Sequence, residues 1–315
     1  MMPIDGFLIG TAENQKAGTG VTTIICPDGA TAGVDVRGGG PATRETDLLR
    51  PENMVQTIHS VTLSGGSAFG LTAASGVMAV LEEKHIGFET GYGKVPIVCG
   101  ASLFDLPVGD GKIRPDIAMG RAAAENAFKN QKLLSGNVGA GTGATVGKYR
   151  GPARMMKSGQ GVSTAAFGDL QIGAVVAVNA LGDVFDGESK IAGLLDESGA
   201  HFGKTTYEEM LEDVKRDHPI FPGNTTIACV MTNAKLTKAQ CLKIASIAHD
   251  GYARAISPVH TSGDGDTIFV MASGKTEGDF DAIAAVAAEQ IRLAILDGVR
   301  SATPLFGLKT AGELN

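Results

Sequence analysis

The sequence has no C-x-x-C pair among its four cysteines, no excess of basic residues and no apolar run long enough to cross a bilayer. Each absence removes a class of function. Cys26, Cys99, Cys229 and Cys241 are widely spaced among apolar neighbours, so they are expected as buried free thiols that pack as small hydrophobes. A formal charge of -7 offers no basic stripe for a phosphate backbone, and nucleic acid is not expected as a partner. The most apolar stretch, Ile172 to Leu181, is too short for a span and contains Asn179, and the amino terminus lacks a basic segment followed by a long apolar run. The expectation is a soluble, cytoplasmic protein with no membrane partner. The histidines, His59, His85, His201, His218, His249 and His260, show neither H-x-x-x-H nor H-E-x-x-H spacing, so no metal is expected, and nothing calls for an organic cofactor.

What is present is a chain of 315 residues, 43% hydrophobic, enough for one large domain or two intimate halves. Its 44 glycines have no period, which excludes a repeat array and points to tight turns and close backbone approaches. Val21–Cys26 and Thr31–Val36 are β-rich runs around Pro27-Asp28-Gly29, which predicts a hairpin. Strand signals recur at Val95–Ser102, Gly161–Phe167 and Gln171–Val178, and helical spacing at Ser67–Glu83 and Ile117–Lys129. The last third reads most clearly. Thr225–Met231 is a buried strand, Thr237 and Gln240 form a capping box opening a helix to about Ile256, Thr267–Ala272 is a strand, and Asp279–Leu296 is an alanine-rich helix. Before this unit, residues 190–222 have loop composition and poor core potential, which makes the junction a natural break.

Two glycine-containing motifs fail on spacing. Between Gly139 and Lys148 the run resembles a phosphate loop, but Gly143 to Gly147 encloses three residues where a P-loop has four, and Tyr149 stands where Ser or Thr belongs. Gly139, Gly141 and Ala144 fit only the loose dinucleotide pattern, with no convincing strand ahead of them. Gly65-Gly66-Ser67-Ala68-Phe69 lacks the last glycine of a nucleophile elbow, so Ser67 reads better as a helix N-cap.

Two segments carry chemistry: Gly223-Asn224-Thr225-Thr226-Ile227 at the entry to a strand, and His260-Thr261-Ser262-Gly263-Asp264-Gly265-Asp266-Thr267 further on. The second can be an Asx-type turn; calcium is disfavoured because the twelve-position ligand spacing is missing. Chemically, two carboxylates at i and i+2 on an extended backbone project to one face and raise one another's proton affinity. Such a pair can orient a hydroxyl or an ammonium. Thr225 supplies both if the Asn224–Thr225 bond is cut: its Oγ attacks the Asn224 carbonyl, water opens the ester, and the freed α-amine, with a reference pKa of about 7.7–8.0, becomes a base beside the nucleophile.

Ser64–Leu71, Gly136–Lys148, Gly223–Thr232 and Asp250–Phe269 together resemble the L-aminopeptidase/D-esterase family of self-cleaving amide hydrolases, which includes β-peptidyl aminopeptidases and the 6-aminohexanoate-oligomer (nylon-oligomer) hydrolases. The resemblance runs along nearly the whole chain. It implies an α/β fold, a four-layer αββα sandwich like that of N-terminal-nucleophile hydrolases but differently connected, forming a single domain over residues 1–315. It implies self-cleavage at Asn224–Thr225 into an α-chain of residues 1–224 and a β-chain of residues 225–315 that stay bound, Thr225 as nucleophile, and Asp264 and Asp266 as the residues that hold it. Lys148 matches a lysine near the nucleophile, and Asn179, interrupting an apolar strand, matches an oxyanion-hole asparagine. Phe104 departs from the pattern. It stands where several members place a tyrosine, so that hydroxyl is missing and the pocket is expected to be more apolar.

The resulting expectation is a Thr-nucleophile amide hydrolase acting on small peptides, amino acid amides or oligoamides, without a cofactor, as a homo-oligomer of processed heterodimers (tetrameric by resemblance). The alternatives are a non-processing small-molecule-binding protein on the same scaffold, a nucleotide-dependent enzyme using Gly139–Lys148, and a serine hydrolase built on Ser67.

Overall fold

A single long strand, Thr19–Val36, ties two half-sheets together in the computed structural model, which describes residues 2–129, 133–215 and 223–314. Its first part, Val21–Ile25, pairs antiparallel with Leu8–Asn14 on one side and Ile58–Ser64 on the other; its last part, Thr31–Val36, pairs antiparallel with Thr267–Ala272. The expected hairpin at Pro27-Asp28-Gly29 is therefore not there. The turn-forming residues sit in a bulge between Ile25 and Ala30, with Gly29 at φ +85°. Pro27 lacks an N–H for a ladder and Gly29 tolerates the left-handed backbone, so the strand bends from one half-sheet to the other without reversing.

The full sheet order is Gln160–Phe167, Leu170–Ala177, Ile227–Ala234, Thr267–Thr276, Thr19–Val36, Ile58–Ser64, Val98–Ser102 and Thr43–Arg44. Helices α1 (Ala73–Glu83), α2 (Ile117–Lys129), α3 (Thr206–Glu212), α4 (Lys238–Ala255) and α5 (Phe280–Arg300) accompany it. Side chains alternate between faces with the period of two that a strand imposes. Ile25 packs with Val77, Val80, Leu81 and Ala124 of α1 and α2, whereas Ile24 faces a central core with Leu63, Cys229 and Phe269. Cys229, Met231, Phe269 and Met271 enter that same core from the other half-sheet, while Ala228, Val230, Ile268 and Val270 face α4 and α5. Three apolar layers thus separate helix, sheet, sheet and helix, the expected αββα sandwich. Phe269, fully buried between the sheets, contributes about 2–3 kcal/mol.

The capping box forms as expected: Gln240 N–H donates to Thr237 Oγ1 and the Gln240 side chain accepts the Thr237 N–H. Ser67 is not an N-cap. It lies at φ +54° as the first residue of a 3-10 segment, Ser67–Thr72, that precedes α1, and its side chain caps nothing there. Residues 190–215 are more ordered than their composition implies, because α3 opens with its own capping box and its Glu209 and the adjacent Asp213 bind Arg150. The rest of that polar stretch, 216–222 with His218, lies outside the described residues. All four cysteines are free and buried. Among the described residues no helix is long and apolar enough to cross a membrane.

Candidate active site

Two parallel neighbours at the centre of the sheet, Ile227–Ala234 and Thr267–Thr276, begin at the same edge, and the segments leading into them form the site. Ile227 pairs with Thr267, and further back Asn224 bridges Asp264 in the same parallel sense. That register sets Thr225 opposite Gly265, with Asp264 and Asp266 flanking the glycine. The expected strand at Thr225 begins two residues later, at Ile227. The backbone at 224–226 is engaged otherwise: Thr225 N–H donates to the Asn179 carbonyl at 2.8 Å, Thr226 N–H to Asp266 Oδ1 at 2.8 Å, and the Asn224 carbonyl accepts Gly265 N–H at 2.8 Å. The Thr225 hydroxyl turns back onto the Asn224 carbonyl oxygen. The bond between them is held at both ends.

Asn179 follows the buried Leu170–Ala177 strand by two residues and meets five others. Its backbone carbonyl takes Thr225 N–H; its Oδ1 accepts from Thr145 N–H at 3.1 Å and from Lys148 Nζ at 2.7 Å; its Nδ2 donates to the Phe104 carbonyl at 3.1 Å and lies 3.5 Å from the Gly223 carbonyl. In the uncut chain this amide is therefore occupied by Phe104 and Gly223, not by the Asn224 carbonyl. Lys148 is fully buried, and its Nζ also reaches the carbonyls of Asn179 at 3.1 Å and Gly223 at 3.2 Å. Burial pushes its pKa down to about 7 against the pull of Asp264, Asp105 and Asp266. Three oxygen acceptors match the three protons of an ammonium, so geometry favours the charged form that burial opposes. The group is poised near neutrality.

Asp264 and Asp266 are both buried. Burial, then the neighbouring Asp266, raises the Asp264 carboxyl to about 6, opposed by the Thr261 N–H on Oδ2 at 2.7 Å and by Lys148. Asp266 is held more completely: Oδ1 takes Thr226 N–H, and Oδ2 faces His260 Nδ1 at 2.9 Å and accepts the His260 backbone N–H at 3.2 Å. Gly38-Gly39-Gly40 backs this loop, since Gly40 N–H donates to the Asp264 carbonyl at 2.7 Å and a β-carbon on Gly38 would come within 2.3 Å of that same oxygen. Among the described residues no hydrogen bond joins the Thr225 hydroxyl to Asp264, Asp266 or Lys148. Backbone bonds, through Asn179, Gly265 and Thr226, connect them.

The Phe104 ring lies flat against Gly223, where a β-carbon would meet it at 2.1 Å. Phe104, Pro107, Val108, Thr145, Lys148, Met155 and Gly223 line a cleft too tight to admit a water molecule. Phe104 thus stands beside Gly223, two residues ahead of Thr225. The glycine run is not a phosphate cradle. Residues 139–148 are buried, and the carbonyls of Gly141 and Ala144 turn toward the ammonium of Lys157 at 3.3 and 3.1 Å, which makes the loop a seat for a cation from the chain itself. Among the described residues no cluster of His, Cys, Asp and Glu is arranged to hold a metal.

Residues 2–311 match the model of peptidase family S58. The chain belongs to peptidase family S58. An uncharacterised aminopeptidase of Mycobacterium leprae is 42% identical over 270 residues, covering 82% of this chain and 72% of the relative. A 6-aminohexanoate-oligomer endohydrolase of Kocuria sp. is 29% identical over 323 residues, covering 94% and 84%. Among solved structures, the L-aminopeptidase D-Ala-esterase/amidase of Ochrobactrum anthropi has a TM-score of 0.69 at 18% identity, over 98% of this chain and 89% of that one. The β-aminopeptidase of a Burkholderia species has 0.67 at 19%, over 98% and 88%. At these identities the structural likeness is one of fold, described for the Ochrobactrum protein as a variant of the Ntn-hydrolase type. This S58 protein is an amide hydrolase of the aminopeptidase kind.

The sequence alone does not single out Gly265 and His260 as parts of this candidate site, although both lie inside the quoted His260–Thr267 segment. A glycine between two aspartates reads as a turn, and His260 looked like one of six unpatterned histidines. Nor does the sequence single out Asp105, whose buried carboxylate accepts from Thr19 Oγ1 and Gly66 N–H and is raised to about 6 by burial.

Proposed function

We propose that the chain cuts itself between Asn224 and Thr225 and that the freed Thr225 then hydrolyses amide bonds of small peptides, amino acid amides or 6-aminohexanoate-type oligomers. The observation that carries this reading is the grip on that one bond: Gly265 N–H on the Asn224 carbonyl oxygen, Asn179 carbonyl on the Thr225 N–H, and the Thr225 hydroxyl turned back to the Asn224 carbonyl. Attack of Oγ on the Asn224 carbonyl carbon forms an oxyanion that the Gly265 N–H already faces. Collapse breaks the bond to the Thr225 nitrogen, which takes up the proton lost from Oγ and becomes the α-amine, and leaves an ester that water opens to an Asn224 carboxylate and a free Thr225 hydroxyl. The amine is born against the Asn179 carbonyl and serves as base to its own hydroxyl. Asp264 and Asp266 fix the strand edge that presents it, and Lys148 supplies positive charge beside them. Release of Gly223 from Phe104 and Asn179 would free the Asn179 amide for a substrate oxyanion and open the apolar cleft.

The oligoamide-hydrolysing relatives and the aminopeptidase relatives bracket the substrate class. Phe104 at the cleft favours aliphatic acyl groups. The test is intact-mass spectrometry of denatured wild type and Thr225→Ala. Division of the 32.3 kDa chain after residue 224 gives pieces of about 23 and 9 kDa, the smaller beginning Thr-Thr-Ile, with Thr225→Ala staying whole. A wild type that remains uncut would overturn the proposal, because the hydrolytic step needs the free amine.

A further inference from the structure

His260 meets the site through a carboxylate, not through substrate. It offers the same oxygen, Asp266 Oδ2, two donors: its backbone N–H at 3.2 Å and its ring Nδ1 at 2.9 Å. It presents both from a left-handed backbone, φ +59°, a region few non-glycine residues occupy. A carboxylate partner makes Nδ1 the protonated nitrogen, so the neutral ring carries its lone pair on Nε2. Nε2 is buried with no hydrogen-bond partner among the described residues, which leaves Asp266 as the ring's polar contact. The ring is wedged by aromatic neighbours on α4: His249 at 4.7 Å between centroids, near edge-on, and Tyr252 at 6.0 Å. Tyr252 in turn donates its hydroxyl to the Thr226 carbonyl at 3.1 Å, on the residue that follows Thr225. The other oxygen of Asp266 accepts from Thr226 N–H. Thr226 is thus gripped on its N–H by Asp266 and on its carbonyl by Tyr252, and His260 packs against both.

We infer that His260 is a positioning residue: it locks the Asp266 carboxylate in the one orientation that holds Thr226, and through it the adjacent Thr225, for attack on the Asn224 carbonyl and later on substrate. The inference rests on the reading of Thr225 as the nucleophile. Without the ring, Asp266 keeps the Thr226 contact on Oδ1 and the His260 backbone N–H on Oδ2 but loses the shorter of the two donors on Oδ2, and the carboxylate gains freedom to rotate. The loss falls on the rate of the chemical steps, since His260 has no place on the substrate side. KM should be unaffected.

The test compares His260→Ala, His260→Asn and His260→Leu with wild type, after checking each by thermal melt. Asn places an amide donor close to where Nδ1 sits; Leu fills the space beside His249 and Tyr252 without a donor. Expected are self-cleavage and kcat lowered about 10- to 100-fold in Ala and Leu, KM within twofold of wild type, and recovery to within about fivefold in Asn. Rescue by Leu as good as by Asn, or Ala with wild-type kcat and processing, would overturn the inference and leave a packing role. If Ala does not fold, the Asn and Leu pair decides alone. Failure of the underlying reading looks different: it is an uncut wild type, or a Thr225→Ala that is still cut, whatever the His260 variants do.

Discussion

Gly265 lies so close beneath Thr225 that a β-carbon on it would stand 2.6 Å from the Thr225 hydroxyl oxygen. The glycine is required by space, not by backbone conformation, and its N–H is the donor on the Asn224 carbonyl. Gly265→Ala should therefore displace the hydroxyl while keeping that donor. Self-cleavage is expected to slow at least 100-fold, with the melting temperature falling by only a few degrees. Intact mass against time after purification reads the first and a thermal melt the second; an alanine variant that processes at the wild-type rate would refute the close contact.

Asn179 joins more of the site than any other side chain. Asn179→Ala removes the acceptor shared by Lys148 and the Thr145 N–H, leaving two buried donors short of a partner, a loss of about 1–3 kcal/mol for each group left unsatisfied. In molecules that still process, kcat is expected to fall about 10²–10³-fold with little change in KM, the cost of one oxyanion donor. Denaturant melts of the Thr225→Ala background give the stability term, and steady-state kinetics of processed enzyme the catalytic one.

Stability should rise with pH above neutrality. Burial holds Lys148 and Lys157 down to about 7, while in the unfolded chain both keep their protons to about 10.4. From about pH 7 upward the unfolded state therefore binds protons that the folded state does not, and stability climbs by up to about 1.4 kcal/mol per pH unit for each lysine. The thiols reverse this: burial raises Cys26 to about 11 and Cys99 and Cys241 to about 12, so above about pH 8.5–9 only the unfolded chain loses those protons. Melting temperatures measured from pH 7 to 10 under reducing conditions should rise and then level off or fall, with the rise roughly halved in Lys157→Met.

Phe104 borders the cleft beside Gly223 and offers no hydroxyl. Phe104→Tyr is expected to lower kcat/KM for aliphatic ω-amino acid amides about three- to tenfold and to leave α-amino acid amides with polar side chains unchanged or better. Improved turnover of the aliphatic amides would count against an apolar acyl site.

The candidate site is legible where its residues are local in sequence. Thr225, Asp264 and Asp266 sit in two short segments whose strands pair in parallel, so a pattern read along the chain anticipates their meeting. What could not be read is what tertiary contact decides. Pro27-Asp28-Gly29 serves a bulge as well as a turn, and which one forms depends on whether Thr31–Val36 pairs backward or with the distant Thr267–Ala272. Residues around 206–213 look like loop because their apolar content is low; charge pairing of Glu209 and Asp213 with Arg150 organises them instead. Lys148 stands out only through resemblance and Lys157 not at all, because lysine is seldom buried and only the folded loop reveals the carbonyls that receive them.

The two strands that follow the expected cut, Ile227–Ala234 and Thr267–Thr276, lie between Leu170–Ala177 on one side and Thr19–Val36 on the other. A cleaved molecule would thus hold its second piece by two flanking ladders and two packed faces, and the sandwich would stand despite the break. Its history would show only on unfolding. An uncut chain regains its structure alone, at a rate independent of dilution, whereas the cut one must first find its other piece, so recovery after denaturant should fall steeply as concentration drops.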